Sequence, residues 1–186
     1  IEGTATDGDE KLSALEAAST AIRNDTIAND GARVIVDVIK IEGASAPVGI
    51  PVTSLPASPS VSACTAAFAG VLDGRTVEFS AGNAAISDET MPIAAALGAI
   101  ALLCDRHGIE IGAHTDARGA ESFNQRLSQT RANTIRDYLI DLGVASSSLS
   151  AVGYGESQPI DTSQTTAAYA RNRRIEFGVG NAEPVP

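Results

Sequence analysis

The run His-Thr-Asp-Ala-Arg-Gly at residues 114–119 sets a carboxylate two positions before an arginine and three before a glycine. A helix-like stretch follows, with Asn124, Leu127 and Arg131 at i, i+3 and i+7. That spacing puts an amide, an apolar patch and a guanidinium along one edge of a helix. Gly119 lets the chain turn so that this edge comes back toward Asp116. A carboxylate that faces a guanidinium across a small apolar floor complements a zwitterion, with ammonium at Asp116 and carboxylate at Arg131. Arginine grips a carboxylate through two parallel hydrogen bonds, and such charge-assisted contacts contribute roughly 1.5–3 kcal/mol each. Two plainer readings stand beside this one. Asp116 and Arg131 bond each other, or both sit in solvent and contribute about 0–1 kcal/mol. Arg118, Arg126 and Arg136 lie off the stripe and are expected in water.

The elements that must position these groups follow from periodicity. In the strand Gly-Ile-Glu-Ile-Gly-Ala-His-Thr at 108–115, Ile109, Ile111 and Ala113 share one face and should meet the helices. Thr115 and Asp116 lie where that strand gives out. On the helix predicted from 121 to 142, Ser128, Ala132, Ile135, Leu139 and Leu142 form the core stripe. Upstream the pattern predicts a helix over 62–72, a strand over 75–80, and a helix from an Asp88 cap to Cys104. Downstream it predicts a strand over 149–155, a helix over 165–173 and a strand over 173–179. Strands alternating with helices predict an α/β fold, an α+β sandwich of βαβαβ type with the helices on one face of a mixed sheet.

The chain of 186 residues is 44% apolar but only 4% aromatic, so its core must rest on Ala, Ile, Leu and Val. A net charge of −10 argues against a nucleic-acid backbone or an anionic membrane as partner. The longest apolar run, Met91 to Cys104, falls short of the roughly 20 residues that span a bilayer. The chain opens on Ile1 and reads as part of something longer. Residues 47–62, rich in Pro and Ser, read as a linker. Before it, a helix-like stretch with Leu12, Leu15, Ala18 and Ile22 precedes a strand with Val34, Val36 and Val38. With a short strand at 1–5, residues 1–46 are expected to form a small βαβ segment. The main domain spans 63–180, and 181–186 is a tail. Cys64 and Cys104 are the only thiols. They form either a disulfide, which implies an oxidising compartment, or two buried free thiols.

Four motifs in order carry a family resemblance. Gly112 with His-Thr-Asp-x-x-Gly, Asn-x-x-Leu-Ser-x-x-Arg-Ala from Asn124, Gly-Tyr-Gly from Gly153, and Asn-Arg-Arg from Asn172 are similar to the OmpA C-terminal-like domain. The resemblance covers roughly residues 64–180, and Ala113, which separates Gly112 from His114, is its small departure. It implies non-covalent binding of peptidoglycan through the meso-diaminopimelate of the stem peptide, with no cofactor. It carries the ammonium to Asp116 and the carboxylate to Arg131, with Thr115, Asn124 and Leu127 beside them. The family's ligand loop corresponds to residues 80–87. Many members have an aspartate there, whereas this chain has Gly82 and Asn83, which leaves backbone N–H groups as the implied donors. The same resemblance implies a Cys64–Cys104 disulfide and a periplasmic location at the outer membrane or cell envelope. Residues 1–46 resemble the closing helix and strand of a BON domain, with a ligand-free spacer as the alternative.

Other classes have less behind them. An enzyme would draw on His114 and Asp116 for acid–base work, with Glu121 or Glu156 as a second carboxylate, but no nucleophile has a recognisable neighbourhood. A metal site at His107 and His114 lacks a third ligand. The remaining alternative is a module that binds periplasmic proteins through its acidic surface, its pocket vestigial. The expectation is therefore a wall-binding domain and no enzyme.

Overall fold

The computed structural model describes residues 55–56, 58–80 and 84–180. The expected βαβ segment at 1–46, most of the linker, Gly82, Asn83 and the tail lie outside them.

Among the described residues, four α-helices and three strands are formed. The first helix, α1, spans Val61–Leu72, and Ser60 caps it by accepting a hydrogen bond from Ala63 N at 3.2 Å. Cys64, Ala67, Phe68 and Val71 recur at spacings of three and four and are buried. Helix α2 spans Met91–Leu103 and begins later than its expected Asp88 cap. Thr90 occupies the cap position without capping, because its hydroxyl is drawn to the backbone of Glu78, donating to the carbonyl and accepting from the N–H, both at 3.1 Å. A disulfide joins Cys64 in the first turn of α1 to Cys104 at the end of α2, Cα atoms 6.1 Å apart. It closes a loop of 40 residues and, on chain-entropy grounds, stabilises the fold by about 4 kcal/mol. The end of the expected linker is packed rather than free: Leu55 and Pro59 are buried, and Pro59 O lies 2.9 Å from His107 Nε2.

Strand β1, Gly108–His114, is central. It runs parallel to β2, Leu149–Gly155, and antiparallel to β3, Ile175–Gly180. The connection from β1 to β2 is helix α3, Glu121–Asp141. The register aligns Ile111 with Ala151 on one side and Phe177 on the other, so Ile109, Ile111, Ala113, Ile175 and Phe177 make one buried face. The Phe177 ring stacks on Phe68 of α1 at 4.5 Å. Ser128, Ala132, Ile135, Leu139 and Leu142 are all buried, as their spacing predicts. Helix α3 lies against β2 so closely that a Cβ on Gly153 would sit 2.2 Å from Gln129 N. Polar side chains of the helix serve this contact. Gln129 bonds Ala151 O and Gly153 N, and Ser128 Oγ accepts from Gly155 N at 2.8 Å, so the backbone of an edge strand is satisfied from its own crossover helix.

One expected strand is not formed. Over 75–80 only Phe79 makes a bridge, antiparallel to Ile86. The backbone of this segment is used locally: Glu78 N bonds the Thr90 hydroxyl, Glu78 O accepts from Ser87 N, and Ser80 N donates to Ala85 O. With those groups satisfied, the segment does not join the sheet, and β3 is an edge among the described residues. Helix α4, Thr166–Asn172, is capped by Thr165, whose hydroxyl accepts from Ala168 N at 3.1 Å.

Candidate functional site

The site forms where β1 ends. Thr115 N still donates to Gly155 O of β2 at 2.9 Å, which pins the start of the turn to the sheet. Asp116 Oδ1 then accepts from Arg118 N at 3.0 Å, the local aspartate turn this residue type favours. Gly119 completes the turn at φ +104°, a conformation costly for other residues. Asn124, buried on the first turns of α3, holds the loop from the helix side. Its Nδ2 lies 3.1 Å from Asp116 O, 3.2 Å from Arg118 O and 2.5 Å from Glu156 Oε2. Asn124 therefore fastens the loop to β2 and α3, a job that leaves its amide nitrogen fully used.

Asp116 is buried, with its side chain 8% exposed, and arginines from two directions reach it. Arg118 grips both oxygens, Nε to Oδ1 at 3.1 Å and Nη2 to Oδ2 at 2.9 Å. Arg173, at the end of α4, donates Nη1 to Oδ2 at 2.7 Å. The Arg118 guanidinium is the main cause that holds the carboxyl low, with Arg173 and the Arg118 backbone N–H adding to it against the cost of burial. Together they bring its pKa down to about 2. Arg118 also stands 4.9 Å over the Tyr169 ring.

Arg131 is in a different state. Its guanidinium lies 4.8 Å over the Phe79 ring, and its buried Nε has no hydrogen-bond partner among the described residues. Burial lowers its pKa first, repulsion from Arg173 adds to that, and attraction to Asp116 opposes both. All three charges thus feel one another, yet no ion pair joins Asp116 to Arg131 among the described residues. Two guanidiniums hold one carboxylate and a third, that of Arg131, feels its charge, a local surplus of positive charge in a chain of net charge −10. Thr115 Oγ1 is a further buried polar atom without a partner among the described residues.

Of the residues expected at the site, Asp116, Thr115, Asn124 and Arg131 are brought to one end of the sheet, and Leu127 is half-buried on the same helix. Two site residues depart from expectation. Arg118 is largely exposed, as its place off the stripe predicts, yet its guanidinium also grips both oxygens of Asp116, because the turn that Gly119 completes folds residue 118 back over residue 116. Arg173 lies within the Asn-Arg-Arg motif, but its contact spans 57 positions and no local spacing reveals it.

The histidines belong elsewhere. His114 sits on the sheet face opposite the helices, stacked on Tyr154 at 5.0 Å, its Nε2 3.6 Å from Glu176. Burial, then repulsion from Arg174, lowers its pKa and favours the neutral ring, against the opposing pull of Glu176. It makes no hydrogen bond to Asp116, so the acid–base pairing considered from the sequence is not assembled. Glu156 is bonded to Asn124.

Comparison with known proteins adds to this geometry. The OmpA family matches residues 78–173. Outer membrane porin F of Pseudomonas fluorescens is 46% identical over 71 residues, 38% of this chain and 22% of that protein. The peptidoglycan-associated lipoprotein of Pseudomonas aeruginosa is 38% identical over 64 residues, 34% of this chain and 38% of that one. The chain thus spans well under half the length of these curated relatives. Among solved structures, the peptidoglycan-associated lipoprotein of Burkholderia pseudomallei superposes with a TM-score of 0.52 at 28% identity, covering 59% of this chain and 92% of that one.

Proposed function

We propose that this chain, which belongs to the OmpA family, holds peptidoglycan non-covalently through the meso-diaminopimelate of the stem peptide, and so ties the cell envelope to the wall. The observation that carries the reading is Arg131: a half-buried guanidinium on an aromatic floor, its Nε without a partner among the described residues, within the electrostatic reach of a carboxylate that other arginines hold. A buried charged donor without an acceptor is costly, and a ligand carboxylate removes that cost. In the stem peptide, the far end of diaminopimelate offers one carboxylate and one ammonium. The carboxylate goes to Arg131 and the ammonium to Asp116, with the Thr115 hydroxyl as a further contact. Leu127 and the Phe79 ring supply apolar walls for the methylene chain. Gly82 and Asn83, in the loop that follows Phe79, are proposed as backbone donors.

The names of the relatives support the coarser part of this reading, since two kinds of similar protein are called peptidoglycan-associated or peptidoglycan-binding. A disulfide and an acidic surface agree with a periplasmic site of action. No bond is made or broken in this function. The test is titration with stem tetrapeptides that carry meso-diaminopimelate or lysine at the third position. Lysine supplies the ammonium without the carboxylate, so the diaminopimelate peptide should bind at least tenfold more tightly; equal affinity would reject the reading. A second reading, a protein-interaction module, draws on the exposed side chains Phe123 and Ile160. It predicts that Arg131→Ala leaves sedimentation with purified sacculi unchanged.

A further inference from the structure

In the free protein the Asp116 carboxylate has no lone pair to spare. A carboxylate offers about four acceptor directions. Arg118 N and Nε fill Oδ1, and Arg118 Nη2 and Arg173 Nη1 fill Oδ2. An ammonium therefore cannot simply add to Asp116; a donor has to leave. We propose that Arg118 is the donor that leaves: it acts as the pocket's built-in stand-in for the ligand ammonium, a displaceable side chain that sets how tightly any cationic guest is held. The inference rests on the diaminopimelate reading and deepens it.

The geometry distinguishes Arg118 from the other donors. Its backbone N–H is fixed by the turn and stays. The Arg118 side chain is 63% exposed against 43% for Arg173, and it supplies two of the three side-chain hydrogen bonds. Release of the Arg118 side chain frees one direction on each oxygen and returns to water a guanidinium that in the free protein stands 4.9 Å over the Tyr169 ring. Release of Arg173 would free one direction only. It would also leave Arg173 without its counter-charge next to Arg131, which already feels its repulsion. Exchange of either arginine for an ammonium keeps the local charge constant, but only the exchange of Arg118 leaves Arg173 paired with Asp116 beside Arg131.

The cost of expelling Arg118 is the same for every guest that places a cation on Asp116. Selectivity for the accompanying carboxylate comes from Arg131. Arg118→Ala should therefore tighten binding of the diaminopimelate and the lysine tetrapeptides by a common factor, about twofold to fivefold, the order expected for freeing a partly exposed ion pair. The ratio between the two peptides should not change. Arg131→Ala should collapse that ratio instead. Isothermal titration of the wild type, Arg118→Ala, Arg118→Gln and Arg131→Ala measures all of this. Arg118→Gln guards against a packing effect of the alanine.

The outcomes separate cleanly. If Arg118→Ala weakens the diaminopimelate peptide and spares the lysine peptide, Arg118 grips a carboxylate and the inference is wrong. Unchanged affinities make it a bystander and also overturn the inference. In both cases a ratio that still depends on Arg131 leaves the diaminopimelate reading standing. A wild type with no preference between the peptides brings down that reading, and the inference with it. Carboxyl NMR of the ligand-free protein is an independent check. Arg118→Ala should raise the Asp116 titration from about 2 toward the ordinary aspartate range. No movement would show that Arg118 does not occupy Asp116 in solution.

Discussion

Among the described residues Asp116, Asp137 and Asp161 pair with arginines, and two of them, Asp116 and Asp161, hold loops that are built for different ends. Asp161 meets Arg171 on the exposed side of α4 and also accepts from Ser163 N at 2.8 Å and Ser163 Oγ at 2.6 Å. Asn172, buried beneath, accepts from Ile160 N and Asp161 N and donates to Asp161 O. One carboxylate meets one guanidinium, and the loop is closed. Asp116 is held by two guanidiniums and acts electrostatically on a third, that of Arg131, whose buried Nε has no partner among the described residues. Both carboxyls have depressed pKa values, Arg171 being the first cause at Asp161 and Arg118 at Asp116. A depressed pKa therefore does not separate a loop fastener from a binding site. Surplus charge and an orphaned donor do.

The largest expected effect treats the two aspartates alike. Reduction of Cys64–Cys104, or Cys64→Ser with Cys104→Ser, should lower unfolding stability by about 4 kcal/mol in denaturant titrations. It should leave peptide affinity unchanged at denaturant-free conditions where the domain stays folded. A selective loss of binding would tie the site to the α1–α2 brace. The next effect sets them apart. Arg131→Ala should weaken the diaminopimelate peptide by roughly 2 kcal/mol, the contribution of a charge-assisted contact, whereas Arg171→Ala should leave titration curves superimposable. Loss of affinity in Arg171→Ala would erase the distinction drawn here.

A smaller effect follows pH. Asp116 has a folded pKa of about 2 against an ordinary 3.8, so its stabilising contribution is complete above the unfolded value. It fades as pH falls from about 4 through about 2. Asp116→Asn should flatten the stability curve in that window and nowhere else, as read by thermal unfolding between acid and neutral pH. The smallest change is at Asp161, a half-buried carboxyl paired with one exposed guanidinium, with a shift of the same sign. Asp161→Asn should alter the acid limb only slightly, and an effect larger than that of Asp116→Asn would reverse the ranking.

Much of the helical framework was legible because its causes are local. The α3 stripe from Ser128 to Leu142, the Thr165 cap's neighbourhood and the alternation of Ile109, Ile111 and Ala113 follow from periods of 3.6 and 2. The strand expected over 75–80 was misread for an equally physical reason. Val77 and Phe79 alternate as a strand should, but the Thr90 hydroxyl and Ser87 take up the Glu78 backbone and turn the segment onto a local hairpin. At the site, the parts were legible and the pairing was not. The i, i+3, i+7 spacing put Asn124, Leu127 and Arg131 on one edge of a helix, but it did not say that Asn124 would serve the loop or that Arg118 would fold back onto Asp116.

By itself the sequence determined which residues stand on which side of each element, because side-chain direction along a helix or strand is a property of the backbone's own period. It also determined that an aspartate ends a strand just before a glycine turn. Only the tertiary structure decided which charges meet. The antiparallel register that sets Ala113 opposite Ile175 brings the end of α4 beside the end of β1, and this carries Arg173 across 57 positions to Asp116. Charge interactions fall off with distance in space, whatever the separation along the chain. Arg131 was thereby left without the partner that its spacing alone had allowed.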